Sequence, residues 1–137
     1  MELSEAIFNL VHSVRNNIKH ELNQLDSGLS PMHFKSLKVI SMIDDCTGQK
    51  LADFMGRDKA QINRLVKELV NQELITKEEN KNDKRSQFLV LSTKALELMR
   101  MFKNSEKHVF NKMIVGIPPE QIEHFIELTK KLKNNLD

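Results

Sequence analysis

Between Lys59 and Glu68 the chain sets Lys59, Gln61, Asn63, Arg64, Lys67 and Glu68 against spaced apolar residues Ile62, Leu65 and Val66. An arginine can bond two acceptors of guanine at once, and an asparagine or glutamine can do the same to adenine. Lysine chiefly neutralises phosphate, whatever the base. A second basic group, Lys81, Lys84 and Arg85, follows, with Asp83 of opposite sign among them. The net charge of +2 is too small to hold polyanions generally, so two local groups on a near-neutral chain point to a site. Duplex nucleic acid is the partner these residue types fit. A pair of solvated faces is the plain alternative.

Other chemistry finds little support. The five histidines, His12, His20, His33, His108 and His124, are scattered singly, and His108 has Lys112 where a second ligand could sit one turn on. No metal-helix, paired-cysteine or nucleophile-elbow spacing occurs, so neither an enzyme nor a metal or cofactor is expected. Gly28, Gly48, Gly56 and Gly116 lie too far apart to cradle a phosphate. The lone Cys46 excludes an internal disulfide and fits a reducing compartment. It reads as a small buried hydrophobe, its pKa raised if anything by Asp44 and Asp45. A redox switch through Cys46 is the rival reading.

These groups must be carried by something. The length of 137 residues suits one domain, with enough chain to bury a core without staples. Apolar residues make up 39% and charged residues 29%, as expected of a soluble globular protein. The longest apolar run, Phe88-Leu89-Val90-Leu91, is far too short to span a membrane. Met1-Glu2-Leu3-Ser4-Glu5 lacks the basic start of a signal peptide, so a cytoplasmic location with no membrane partner is expected.

Hydrophobic period divides the chain. Ile7, Leu10, Val11, Val14, Ile18, Leu22 and Leu25 form one stripe of a long helix over residues 5–25, broken by Asp26-Ser27-Gly28. Ser30-Pro31 opens a second helix with a cap and a proline at its first position. Thr47 caps a short third helix through Leu51, Ala52 and Met55, which Gly56 stops. Asp58, with Gln61 three residues on, predicts a carboxylate capping box for a fourth helix. Ile75–Glu79 and Ser86–Ser92 read as strands around the polar turn Asn80–Arg85. Thr93 opens a fifth helix using Leu96, Met99, Phe102, Val109, Phe110 and Met113. After Gly116, Pro118-Pro119 starts a sixth through Ile122, Phe125, Ile126, Leu128 and Leu132. The fold class expected is mainly α with a small β-hairpin, in the order α-α-α-α-β-β-α-α.

Within that order Ala52, Gly56, Ile62 and Leu65 have the spacing of a helix-turn-helix: a small residue at the crossing, a glycine at the turn, and apolar positions that pack the second helix on the first. The hairpin that follows makes it winged. With Asn82-Asp83-Lys84-Arg85 in the hairpin and Leu91-Ser92-Thr93 entering the next helix, the whole chain resembles the MarR family of bacterial regulators. The most specific piece is Asp83-x-Arg85. The resemblance implies a homodimer through residues 1–29 and 93–137, with residues 30–92 as the winged DNA-binding part of a single domain. It also implies a fourth helix in the major groove, Arg85 reaching toward the minor groove, and Asp83 orienting the wing through an ion pair. The chain departs from the family pattern at Glu73, where many members end the recognition helix with glycine. It departs again at Lys94-Ala95, where many carry a glycine.

The function expected is that of a homodimeric DNA-binding transcriptional regulator, a repressor released by a small-molecule effector. Its DNA-binding residues are Lys59, Gln61, Asn63, Arg64, Lys67, Asp83, Lys84 and Arg85, and its operator is pseudo-palindromic. Methionines and phenylalanines, with Met99, Met101 and Met113 on the fifth helix, could line an effector pocket or fill the core. A winged-helix protein–protein module is the alternative from another class, since a fold does not fix a function.

Overall fold

The computed structural model describes residues 1–137 and has the expected order of elements. The helices are α1 (Leu3–Gln24), α2 (Pro31–Met42), α3 (Gly48–Met55), α4 (Lys59–Asn71), α5 (Thr93–Met113) and α6 (Pro119–Leu136). The strands β1 (Ile75–Glu78) and β2 (Phe88–Leu91) pair antiparallel, Ile75 opposite Leu91 and Glu78 opposite Phe88. Both are shorter than their sequence pattern suggests. Ser92 leaves the strand because its hydroxyl caps α5, accepting from the Ala95 N–H at 3.1 Å, and Ser86 is drawn into the hairpin turn. No helix is long and apolar enough to cross a membrane.

Side-chain caps set three more of the helix starts. Ser30 Oγ accepts from the His33 N–H, Thr47 Oγ1 from Lys50, and Asp58 Oδ1 from Gln61 at 2.8 Å. At Asp58 only half of the expected box forms, which leaves the Gln61 side chain on the exposed face of α4. α3 and α4 end alike, in a left-handed residue followed by an N–H that reaches back five residues. Gly56 (φ 61°) does this for α3, with the Arg57 N–H on the Ala52 carbonyl at 3.1 Å. Glu73 (φ 61°) does it for α4, with the Leu74 N–H on the Leu69 carbonyl at 2.9 Å.

Glu73 therefore adopts a conformation that favours glycine, at a cost of about 1–2 kcal/mol. Glu73→Gly should raise stability by about 0.5–1 kcal/mol after the added freedom of the unfolded chain is counted. A thermal scan should show the midpoint rise by about 2–4 °C. The second departure, Lys94-Ala95, is accommodated by packing. Ala95 is fully buried, and Lys94 Nζ reaches the Gln72 carbonyl at the end of α4, 3.0 Å away.

The core lies under the helix-turn-helix. Phe34, Leu37 and Ile40 of α2, Leu51 and Ala52 of α3, and Ile62, Val66 and Leu69 of α4 meet Leu74, Ile75 and Leu89 of the hairpin. Phe34 stacks on Phe102 of α5 with ring centroids 4.5 Å apart, which ties this unit to the long helices. The wing is anchored from a third side, where the Leu89 N–H donates to the Cys46 carbonyl at 2.8 Å and Thr47 bridges to Phe88.

The two ends of the chain differ from this centre. Leu3, Ile7, Phe8, Leu10 and Val11 of α1 are exposed, as are Phe125, Ile126, Leu128 and Leu132 of α6. No residue of α6 is buried.

Candidate nucleic-acid interface

α4 turns one face inward and one outward. Ile62, Val66 and Leu69 are buried, while Lys59, Gln61, Asn63, Arg64, Lys67 and Glu68 are exposed. Its N-terminus is fixed by the Asp58 cap and its C-terminus by the Glu73 turn and Lys94. The helix is thus held at both ends with its polar face open. Arg64 has no ion-pair or hydrogen-bond partner on its side chain, so its guanidinium fork is free for a bidentate acceptor.

Asp83, Lys84 and Arg85 lie at the exposed tip of the hairpin, on a separate element from the α4 residues, and no ion pair joins the two groups. Two successive side chain-to-backbone turns build that tip. Asn80 Oδ1 accepts from the Asn82 N–H and Asp83 Oδ1 from the Arg85 N–H, each at 3.0 Å. The ion pair implied for Asp83 is absent. Its carboxylate accepts from the backbone N–H of Arg85 instead, and the Arg85 side chain has no partner.

His33 is the residue that sequence reasoning passed over. It stands at the third position of α2, where Ser30 and a partner three residues on make a capping box, and the Ser30 N–H donates to His33 Nδ1 at 3.0 Å. Its other nitrogen, Nε2, reaches Glu68 Oε2 of α4 at 2.9 Å. The Ser30-x-x-His33 spacing was the available signal. The contact across to α4 had none.

Cys46 is 2% exposed, and its thiol lies against the Thr47 carbonyl. Burial pushes its pKa up, partly offset by Lys50. Loss of hydration, rather than Asp44 and Asp45, is the cause. A protonated, enclosed thiol is a poor nucleophile. Alkylation of native protein by iodoacetamide at neutral pH should lag far behind that of urea-unfolded chain. Equal rates would restore the redox reading. A folded-state pKa above the unfolded value also means that folding loses this group's support as pH rises past the ordinary thiol range.

A groove of about 1120 Å³ runs between α1, α2 and α5. Its apolar lining is Ile18, Met32, Phe34, Met42, Leu96, Met99 and Phe102. Arg15, Lys19, Lys35, Lys38, Arg57, Arg100 and Lys103 make the lining basic, with Glu106 the one acid among its residues. Arg100 is already engaged by Glu97 at 2.6 Å, which holds that carboxyl below its ordinary range. Arg57 and Met32 also line a small cleft of about 180 Å³ with Gln61, Arg64 and Glu68 of α4.

Residues 27–86 match the MarR family model. The fold of the whole chain is similar to a mutant of S. aureus MepR, at 17% identity and a TM-score of 0.83 over 100% of both chains. It is also similar to a mutant of E. coli MarR, at 18% identity and 0.83 over 96% of each. An S. aureus MepR–DNA complex gives 19% identity and 0.78 over 98% of each.

Proposed function

Given a MarR-family segment at residues 27–86 and that family's winged helix-turn-helix fold over the whole chain, we propose that the protein is a sequence-specific double-stranded DNA-binding transcriptional regulator. It acts as a homodimeric repressor in the cytoplasm. The observation that carries this reading is the open face of α4, fixed at both ends and presenting Lys59, Gln61, Asn63, Arg64 and Lys67 outward. Those are base-reading and phosphate-neutralising groups on a rigid element. MepR, of the same fold, has been solved with DNA, which supports the same partner here. Residues 30–92 read the operator, and residues 1–29 and 93–137 build the dimer. No catalytic step is involved.

In this reading α4 enters the major groove, and Lys84 and Arg85 meet the neighbouring backbone and minor groove. A dimer places two such units about one helical turn apart, so the operator is a pseudo-palindrome. The groove between α1, α2 and α5 takes the effector. Its lining of basic and apolar side chains suits a small amphipathic acid, and Arg57 lines both this groove and the α4 cleft.

Selection of bound duplexes from a genomic pool tests the function. The expected product is a family of inverted repeats. Enrichment of nothing above background would leave the protein–protein module as the better reading.

The wing offers a finer test. Asp83→Ala breaks the turn that orders Arg85, and a mobile loop must then be immobilised on binding. It should weaken operator binding by about 0.5–1.5 kcal/mol while the melting temperature hardly moves. Asp83→Asn keeps an acceptor for the Arg85 N–H and removes a charge, so it should bind as tightly as wild type or tighter. Tighter binding by Asp83→Ala would show that the carboxylate opposes binding and orients nothing.

A further inference from the structure

Glu68 is an acid on the face of α4 that otherwise carries Lys59, Gln61, Asn63, Arg64 and Lys67. It stands one helical turn after Arg64, where opposite charges on a helix meet. Both residues line the same small cleft, yet they form no ion pair. Glu68 Oε2 is bound to His33 Nε2 instead, at 2.9 Å, in a hydrogen bond that joins α2 to α4. We propose that His33 is a positioning residue for DNA reading: by holding Glu68 against α2, it keeps that carboxylate from capturing Arg64.

The geometry of the ring supports this role. The Ser30 N–H can only donate, so the Nδ1 it meets at 3.0 Å carries the lone pair. The ring proton is then on Nε2, pointing at Glu68. The ring is held by the start of α2, its side chain only 15% exposed against 50% for Glu68. A fixed donor on a neighbouring helix thus meets a half-exposed acid. Without it Glu68 is free to swing toward Arg64, one turn earlier on the same helix, and that capture weakens reading by α4. The Arg-before-Glu order is the weaker one for a helical pair, so the competition is modest: about two- to threefold in affinity.

This inference rests on α4 being the DNA-facing helix, and the experiment separates the two. Full-length wild type, His33→Ala, Glu68→Ala and the double variant are titrated by fluorescence anisotropy onto a labelled duplex selected by the wild type and onto a scrambled duplex. His33→Ala should bind the selected duplex about two- to threefold more weakly. The double variant should return to wild-type affinity or better, since the competing acid is gone. In an Arg64→Ala background, His33→Ala should have no further effect. A double variant no better than His33→Ala would reduce His33 to a support of the fold and overturn the proposal. Should His33→Ala fail to fold, Glu68→Ala alone decides. Binding at least as tight as wild type supports the proposal, and weaker binding overturns it. Wild type that does not distinguish the two duplexes would remove the premise along with the inference.

Discussion

Arg64→Ala should lower affinity for the selected operator by roughly 1–3 kcal/mol, a factor of roughly 5 to 150, and relax the base preference at one position of each half-site. The size follows from what is lost. A guanidinium that makes two bonds to one base is both an attraction to that base and a penalty against the others. Arg64 has the freedom to do this because nothing in the chain occupies its side chain, while Ile62 and Val66 on the buried side fix the helix that carries it. Lys84→Ala should behave differently, weakening all duplexes alike and lowering the salt slope by about 1. Anisotropy titrations of both variants on selected and scrambled duplexes separate the two roles. Wild-type affinity in both variants would show that the reading surface lies elsewhere.

Charging the terminal helices should have a still larger effect. α6 buries none of its residues, and Phe125 and Ile126 are 47% and 48% exposed. A helix that buries none of its residues is marginal in water, and the exposed apolar residues from Leu3 to Val11 and again along α6 form a surface fit for a partner. A second copy of the chain covers it in the function proposed above. Phe125→Asp with Ile126→Asp would then bury two unpaired carboxylates in the seam. The double variant should sediment as a monomer or aggregate. Its affinity for a paired half-site should fall by roughly 10²–10⁴-fold, because the second half-site is no longer bound at high effective concentration. A stable dimer that binds as before would mean that the exposed apolar residues serve some other surface.

Much of this was legible in the sequence because the signals were local. Ser30, Thr47 and Asp58 cap where their types and spacing say, and Gly56 takes the left-handed turn that its place between two apolar stripes requires. The exposed face of α4 could be read off directly, since a helix whose apolar positions recur at three and four residues leaves only one face for the rest. What stayed hidden depends on residues far apart in the chain. Glu73 in a left-handed turn was hard to foresee because a glutamate seldom takes that conformation, and Lys94, which supports the same helix end, comes from the next helix. The contact of His33 with Glu68 crosses from α2 to α4 and leaves no periodic trace. Asp83 bonds to a backbone N–H and forms no ion pair, which was hidden because an acid beside an arginine suggests charge pairing and a backbone N–H has no letter in the sequence.

The most direct test of DNA reading by α4 and the wing is a titration of full-length protein onto the selected operator at several salt concentrations, with a scrambled duplex beside it. The predicted result is saturation at two chains per operator, a preference over the scrambled duplex of roughly 10³-fold or more, and an affinity that falls steeply as salt rises, in proportion to the phosphates neutralised. Equal binding to both duplexes, or none to either at low salt, would contradict it.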